Sequence, residues 1–286
     1  MEQLTSEHEL GFDEINQAID SIEIPSCPAL VTQVMAEAQK DAPDLAVISR
    51  LISGDVGMAA FTLKLANSPF FRRGDGTKSV AEAVTRLGTR NVVCVVVAAA
   101  LRTRLSDGLP EAFLEQFWNR AGQTASAAGL IARQLRGVSP DSAYTYGLFH
   151  DAAIPVMMRR FPDYPSTLTE AAKHKVMLPS LESQRYRCDH AVVGGLLARN
   201  WMLPTATVQA IRHHHEPGAY DLALDTVTDE VRTLVAIVHV AERLLSDVFD
   251  TEDNEIGILF DQACDYLGLN ADDLNDLKDD LHEALA

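Results

Sequence analysis

Apolar residues recur at helical spacing along almost the whole chain, and this periodicity most constrains the fold. Ile15, Ile19 and Ile22 form one stripe, and Leu45, Ile48, Leu51 and Ile52 form another. The end signals agree. Ser79 with Glu82 three residues on is a capping box, and Gly88 closes that helix. Ser139-Pro140 reads as an N-cap with proline at the first helical position. Leu274, Leu277, Leu281 and Leu285 repeat behind an Asn270 cap. Asp75-Gly76 is the nearest approach to a hairpin turn, but its flanks do not alternate. Asn91 to Val97 is rich in β-branched residues, which favours a buried strand by propensity. Val92, Val93, Val96, Val97, Ala100 and Leu101 nevertheless follow one helical face, so a helix is expected there. The fold class is all-α.

Composition narrows the class of protein. Hydrophobic residues make up 47% and aromatics only 6%, so Leu, Val, Ile and Ala must fill the core. The net charge of −17 argues against non-specific nucleic-acid binding, which depends on Lys and Arg neutralising phosphates. Val92 to Leu101, the longest apolar run, falls short of the roughly 20 residues of a membrane span. Met1 to Leu10 is polar and acidic, unlike a secretory signal. Cys27, Cys94, Cys188 and Cys264 are scattered without metal or redox spacing and read as reduced thiols. A cytoplasmic location is expected.

Ser106-Asp107-Gly108-Leu109-Pro110 punctuates the chain and divides it into two packed helical subdomains, residues 1–108 and 109–246. Residues 247–286 form an acidic helical extension. From Asp247 to Glu283 there are thirteen acidic residues against one basic residue, Lys278. This is a solvated face, with docking of a basic partner as the alternative.

The chemistry-bearing residues lie mostly in the second half. His150 and Asp151 sit on a helix that Ser139 starts and Pro155 kinks or ends. His190 follows an Asp189 cap. His213, His214 and His215 end a short helix that begins near Thr205. His239 and Glu242 are three apart and share a helical face. Imidazoles and carboxylates are ligands for divalent metals. Adjacent helical residues point about 100° apart, so His214 and His215 are not expected both to point straight at one small site; one binds while the other caps carbonyls or faces a second ion. His213 reads as a C-terminal histidine favoured by the helix dipole. His239 reads as a satisfied core histidine, and His174 as surface. Asn67-Ser68-Pro69 reads as a helix stop, with a ligand-contact role for Asn67 and Ser68 as the alternative. Phe70 and Phe71 read as core or subdomain interface. Arg72, Arg73 and Lys78 form a compact basic loop, solvated or binding an anion.

Several of these segments, in this order, carry a family resemblance. They are Leu63-Lys64-Leu65-Ala66-Asn67-Ser68-Pro69-Phe70-Phe71, Ser79 to Val84, Arg86-Leu87-Gly88, Phe117-Trp118 and Gly147-Leu148-Phe149-His150-Asp151. Asp189 to Gly194, Ala210 to Pro217 and Ile237 to Arg243 complete them. From Ile24 to Leu245 the chain resembles the HDOD family, the HD-related output domain of bacterial signalling. The Asn-Ser-Pro-Phe segment separates that family from ordinary HD phosphohydrolases. The resemblance implies an HD-like helical bundle for the second subdomain and a regulatory or scaffolding role through protein contacts. With no sensor or receiver segment in the sequence, the input is expected to arrive non-covalently.

The departures from active HD enzymes concern the chemistry. Those enzymes carry a histidine on the helix before the HD pair; the matching position, two residues after Trp118, is Arg120, which cannot ligate a metal. Glu242 stands where their final aspartate would. Ala152-Ala153-Ile154 follows the HD pair, without the lysine of the related HD-GYP enzymes, whose Gly-Tyr-Pro motif is also missing. Two states stay open for His150, Asp151, His190, His214, His215 and Glu242. They hold one divalent ion (Fe, Mn, Zn or Mg), or they form a buried polar network in which Arg120 pairs with Asp151 in place of the metal. The non-catalytic reading is preferred, with no cofactor and no catalytic residue. The alternative is a metal-dependent phosphohydrolase of a nucleotide or cyclic dinucleotide.

Overall fold

The structure, a computed structural model, describes residues 21–72, 74–106, 108–216, 218–220, 227–249 and 257–285. Among them every regular element is a helix. Ile15, Ile19 and Arg73, named above, lie outside the described residues.

Helices α1 (Ala29–Ala38), α2 (Leu45–Ser53) and α3 (Val56–Ala66) pack around α4 (Val80–Leu105). Aspartates start two of them. Asp44 accepts from Ala46 N at 2.8 Å, and Asp55 accepts from Met58 N at 2.8 Å. Ser79 accepts from Glu82 N at 3.2 Å, and Glu82 reaches back to Lys78 N at 2.9 Å. Gly88, at φ 70° and ψ 171°, breaks α4 as its sequence signal implies. The Asn91–Val97 segment is helical, and Val92, Val95, Val96 and Val97 have no exposed surface. Burial on all sides overrides β propensity there. By length and composition α4 is apolar enough to cross a membrane, yet it is the core helix of this half.

The second half is built on α5 (Glu111–Gln134), α6 (Pro140–Phe149) and α12 (Asp229–Phe249). Small residues let α5 and α6 approach closely: a Cβ on Gly147 would lie 3.0 Å from Ala125 Cα. Around them lie α7 (Ile154–Arg160), α8 (Tyr164–His174), α9 (Leu178–Tyr186), α10 (His190–Asn200) and α11 (Thr205–His213). Caps at Ser139, Asp189 and Asn270 form as expected. His150 is the C-cap of α6, and a turn separates it from α7, where Pro155 sits in the first turn. The HD pair therefore lies at a helix end and not within a helix. Proline in a first turn meets no missing hydrogen bond, so it starts α7 where it was expected to kink or end the helix that carries the HD pair.

The two halves share one continuous core that runs from Ile22 to Leu281. Phe70 fits against Gly129 of α5, where a Cβ would be 2.6 Å from the ring, and stacks on Tyr144 of α6. Arg133 covers the Phe70 ring and donates to Phe70 O at 2.8 Å. Asn67 caps α3 and holds the following loop through Thr77 N and O at 2.6 and 3.0 Å. Trp201 donates its indole N–H to Pro25 O at 2.7 Å. The acidic extension is more than a solvated face. Helices α13 (Gly257–Leu267) and α14 (Ala271–Leu285) pack on α12, and Ala263, Cys264, Leu277 and Leu281 enter the common core.

Candidate metal centre

Helix ends build the site. His150 caps α6, Asp151 follows it, His190 opens α10, and His214 and His215 follow α11. Glu242 comes from the middle of α12. Asp151 is the hub. Its Oδ1 lies 3.4 Å from His190 Nε2 and 3.5 Å from His214 Nε2, and its Oδ2 lies 3.2 Å from His150 Nε2. His150 Nε2 is also 3.0 Å from Glu242 Oε1, and His190 Nε2 is 3.0 Å from His215 Nε2. His214 and His215 thus do converge, with ring centroids 3.9 Å apart. His215 lies past the last helical residue, so helical spacing no longer governs it.

Backbone and carboxylate partners orient the rings. His150 Nδ1–H donates to Gly147 O at 2.9 Å, and His214 Nδ1–H donates to Ile211 O at 2.7 Å. Glu182, fully buried on α9, accepts from His190 Nδ1–H at 2.8 Å, from His190 N–H at 3.0 Å and from the Tyr164 hydroxyl. All three rings therefore turn Nε2 towards Asp151. A carboxylate behind a ligating imidazole is the usual support of a metal site. Sequence reasoning missed Glu182. Its only signal was an acidic residue among buried positions of a short helix.

The clustered charges shift the proton affinities of these groups. Burial alone would lower the His150 pKa, but the Asp151 and Glu242 carboxylates outweigh it and hold the ring well above its ordinary value. His190 is raised in the same way by Glu182 and Asp151. Burial also opposes ionisation of Asp151, yet the imidazoles hold its carboxyl well below the usual range. His215 goes the other way: burial and its histidine neighbours press it well below normal. A neutral His215 accepting from His190 Nε2–H fits both shifts.

The donor set also fits a divalent ion. One ligand atom from each of Asp151, His190, His214 and His215 lies within 4.8 Å of the others, and the same holds for His150, Asp151 and Glu242. Among the described residues His214 Nε2 and His215 Nδ1 are buried without a hydrogen-bond partner, and the first lies 3.5 Å from Asp151 Oδ1. An ion there would satisfy it.

The expected Arg120–Asp151 ion pair does not form among the described residues. Arg120 is exposed and lines a cavity of about 290 Å³ together with His150 and Asp151. The hub needs no guanidinium, because imidazoles already surround it. His239 is buried, with Nδ1 2.6 Å from the Tyr220 hydroxyl. His213 pairs with Glu216 at 2.7 Å. Asn67, Phe70 and Phe71 serve the core and its loop, and Arg72 donates to Gly74 O at 3.4 Å. The Ser68 carbonyl accepts from Phe71 N at 3.0 Å and from Arg72 N at 2.8 Å, closing the turn after α3.

Residues 24–217 match the HDOD domain family, and the chain belongs to it. The match stops before α12, short of the Leu245 limit read from sequence, so Glu242 lies outside it. An uncharacterized protein of Treponema pallidum is 28% identical over 215 residues, which cover 72% of this chain and 41% of that protein. The chain thus spans about two fifths of that relative's length. An HDOD domain protein of unknown function from Geobacter sulfurreducens superposes with a TM-score of 0.71 at 19% identity, covering 97% of this chain and 95% of that one. A protein of Shewanella amazonensis provisionally named a phosphohydrolase gives 0.70 at 22%, covering 94% and 93%. A provisionally named signal transduction protein of Marinobacter aquaeolei gives 0.68 at 20%, covering 97% and 64%. These likenesses carry the fold.

Proposed function

We propose that this chain is a cytoplasmic bacterial signalling protein that acts through protein contacts and does not turn over a substrate. Arg120 carries this reading. Where active HD enzymes place a ligating histidine, this chain offers an exposed guanidinium that neither ligates nor pairs with Asp151. Ala152-Ala153-Ile154 also leaves the HD pair without a lysine to assist proton transfer. One divalent ion, Fe, Mn, Zn or Mg, suits Asp151, His190, His214 and His215. When bound, it supplies Lewis-acid charge. The chain's own residues do the positioning: Glu182 and the backbone carbonyls of Gly147 and Ile211 fix the rings. Because the ligands come from α6, α10 and α11, loading would clamp those helix ends together and stabilise the fold by mass action. A partner with a basic surface suits the outer face of α13 and α14, where Asp265, Asp272, Asp276 and Asp279 are exposed.

Metal content of protein purified without chelator, followed by turnover assays on nucleotides and cyclic dinucleotides with Mn²⁺ or Fe²⁺, tests the reading. Up to one equivalent of metal with no turnover is expected. Turnover that vanishes in Asp151→Ala overturns it in favour of a phosphohydrolase, the reading that the retained histidine–carboxylate cluster favours.

A further inference from the structure

The cavity in front of the HD pair has two different surfaces. Phe113, Phe117, Ala121, Ile154 and Leu168 make an apolar wall, and the Phe113 and Phe117 rings stack at 6.1 Å. Among the lining residues Arg120 and Gln116 are exposed and supply hydrogen-bond donors, His150 is buried and Asp151 is half-buried. Among the described residues Arg120 makes no ion pair, so its guanidinium is available for a bidentate contact with an anionic group. Asp151 keeps 29% of its side chain exposed, with His150 Nε2 3.2 Å from its Oδ2 and His190 Nε2 3.4 Å from its Oδ1. Size narrows the ligand further. An apolar cavity of about 150 Å³ holds one benzene ring. At about 290 Å³ this cavity takes a single ring with an anionic head, and is too small to enclose a dinucleotide.

We propose that this cavity binds a small aromatic or alicyclic organic anion, with its head on Arg120 and Gln116 and its ring on the Phe117–Ile154–Leu168 wall. A position that ligates metal in HD enzymes thereby becomes an anion-recognition position here. The ligand is an input of the proposed signalling role. Its role as a signalling input and its not being turned over rest on that proposed reading; the binding itself does not.

Calorimetric titration of the full chain with phenyl phosphate, benzoate, phenol and inorganic phosphate tests this. It is run once with EDTA and once after Mn²⁺ loading, with phenol release measured in parallel. Phenyl phosphate, benzoate or both are expected to bind one to one, and the tighter of the two names the head. Phenol and inorganic phosphate are expected to bind at least tenfold more weakly, because each lacks one of the two contacts. Arg120→Ala, at an exposed position, is expected to weaken the anion at least tenfold, and Arg120→Lys less. The site is refuted if neither anion binds, if Arg120→Ala binds equally well, or if inorganic phosphate binds as tightly as phenyl phosphate. Arg120-dependent binding accompanied by phenol release keeps the site and overturns the non-catalytic reading. Loss of binding without turnover does the reverse.

Discussion

Glu182 shows how much a single buried side chain decides in this site. It has no exposed surface, yet three donors satisfy it, two of them from His190. Burial opposes its charge, and the His190 imidazole restores it below the ordinary carboxyl range. Glu182→Gln keeps the shape and removes the charge. It is expected to weaken Mn²⁺ or Zn²⁺ binding by roughly 10–100-fold, the usual effect of losing an outer-shell partner. Equal affinity by titration would show that His190 is not a ligand. His239 gives a second test. Burial presses its pKa to about 4, against an ordinary value of 6.5. The unfolded chain therefore takes up this proton first as the pH falls. The stability it contributes is complete above the unfolded value and is lost as the pH drops through the window towards the folded one. The swing is on the order of 3 kcal/mol. His150 and His190 have the opposite sign but act above that window: their raised values add stability as the pH falls towards 6.5, and it stays complete below. The difference between wild type and His239→Gln isolates the effect: the variant should lose less urea stability between neutral and mildly acidic pH. An identical loss would mean that His239 is not held neutral.

The centre is assembled from helix ends, and this explains which of its features were readable. Caps at Ser139, Asp189 and Asn270 are local hydrogen bonds between neighbouring residues, so sequence spacing exposes them. The HD pair was expected within a helix that Pro155 kinks or ends. Instead the chain turns at His150 and proline opens the next helix. His214 and His215 were expected to diverge, and the same kind of break lets them meet. Whether α6 delivers His150 to the centre depends on its close approach to α5 at Gly147. A Cβ there meets the backbone at Ala125 and Thr124, which cannot swing aside. Gly147→Ala is expected to cost about 1–3 kcal/mol in urea unfolding and to weaken metal binding by displacing the helix end. Full stability with full metal binding would show that the α5–α6 contact has slack.

At the scale of the molecule, one core joins segments that the sequence divides at Ser106–Pro110. Phe70 on Gly129 and Trp201 on Pro25 O cross that division, and the acidic extension adds Leu277 and Leu281. A single cooperative transition is expected, with far-UV circular dichroism and tryptophan fluorescence coincident in urea. Separate transitions would establish two independent units. Leu281→Ala should cost roughly 2–5 kcal/mol, as for other buried leucines; a cost near zero would mean that α14 does not belong to the core. By itself the sequence determined the all-helical class, most caps, the family and the identity of the histidines and carboxylates. Periodicity, capping and motif order are properties of neighbours along the chain. Only the tertiary structure decided that Asp151 is ringed by imidazoles, that Glu182 stands behind His190, and that Arg120 faces a cavity and not Asp151. Those relations join residues tens of positions apart, and burial, charge pairing and close helix packing select them only once the chain has folded.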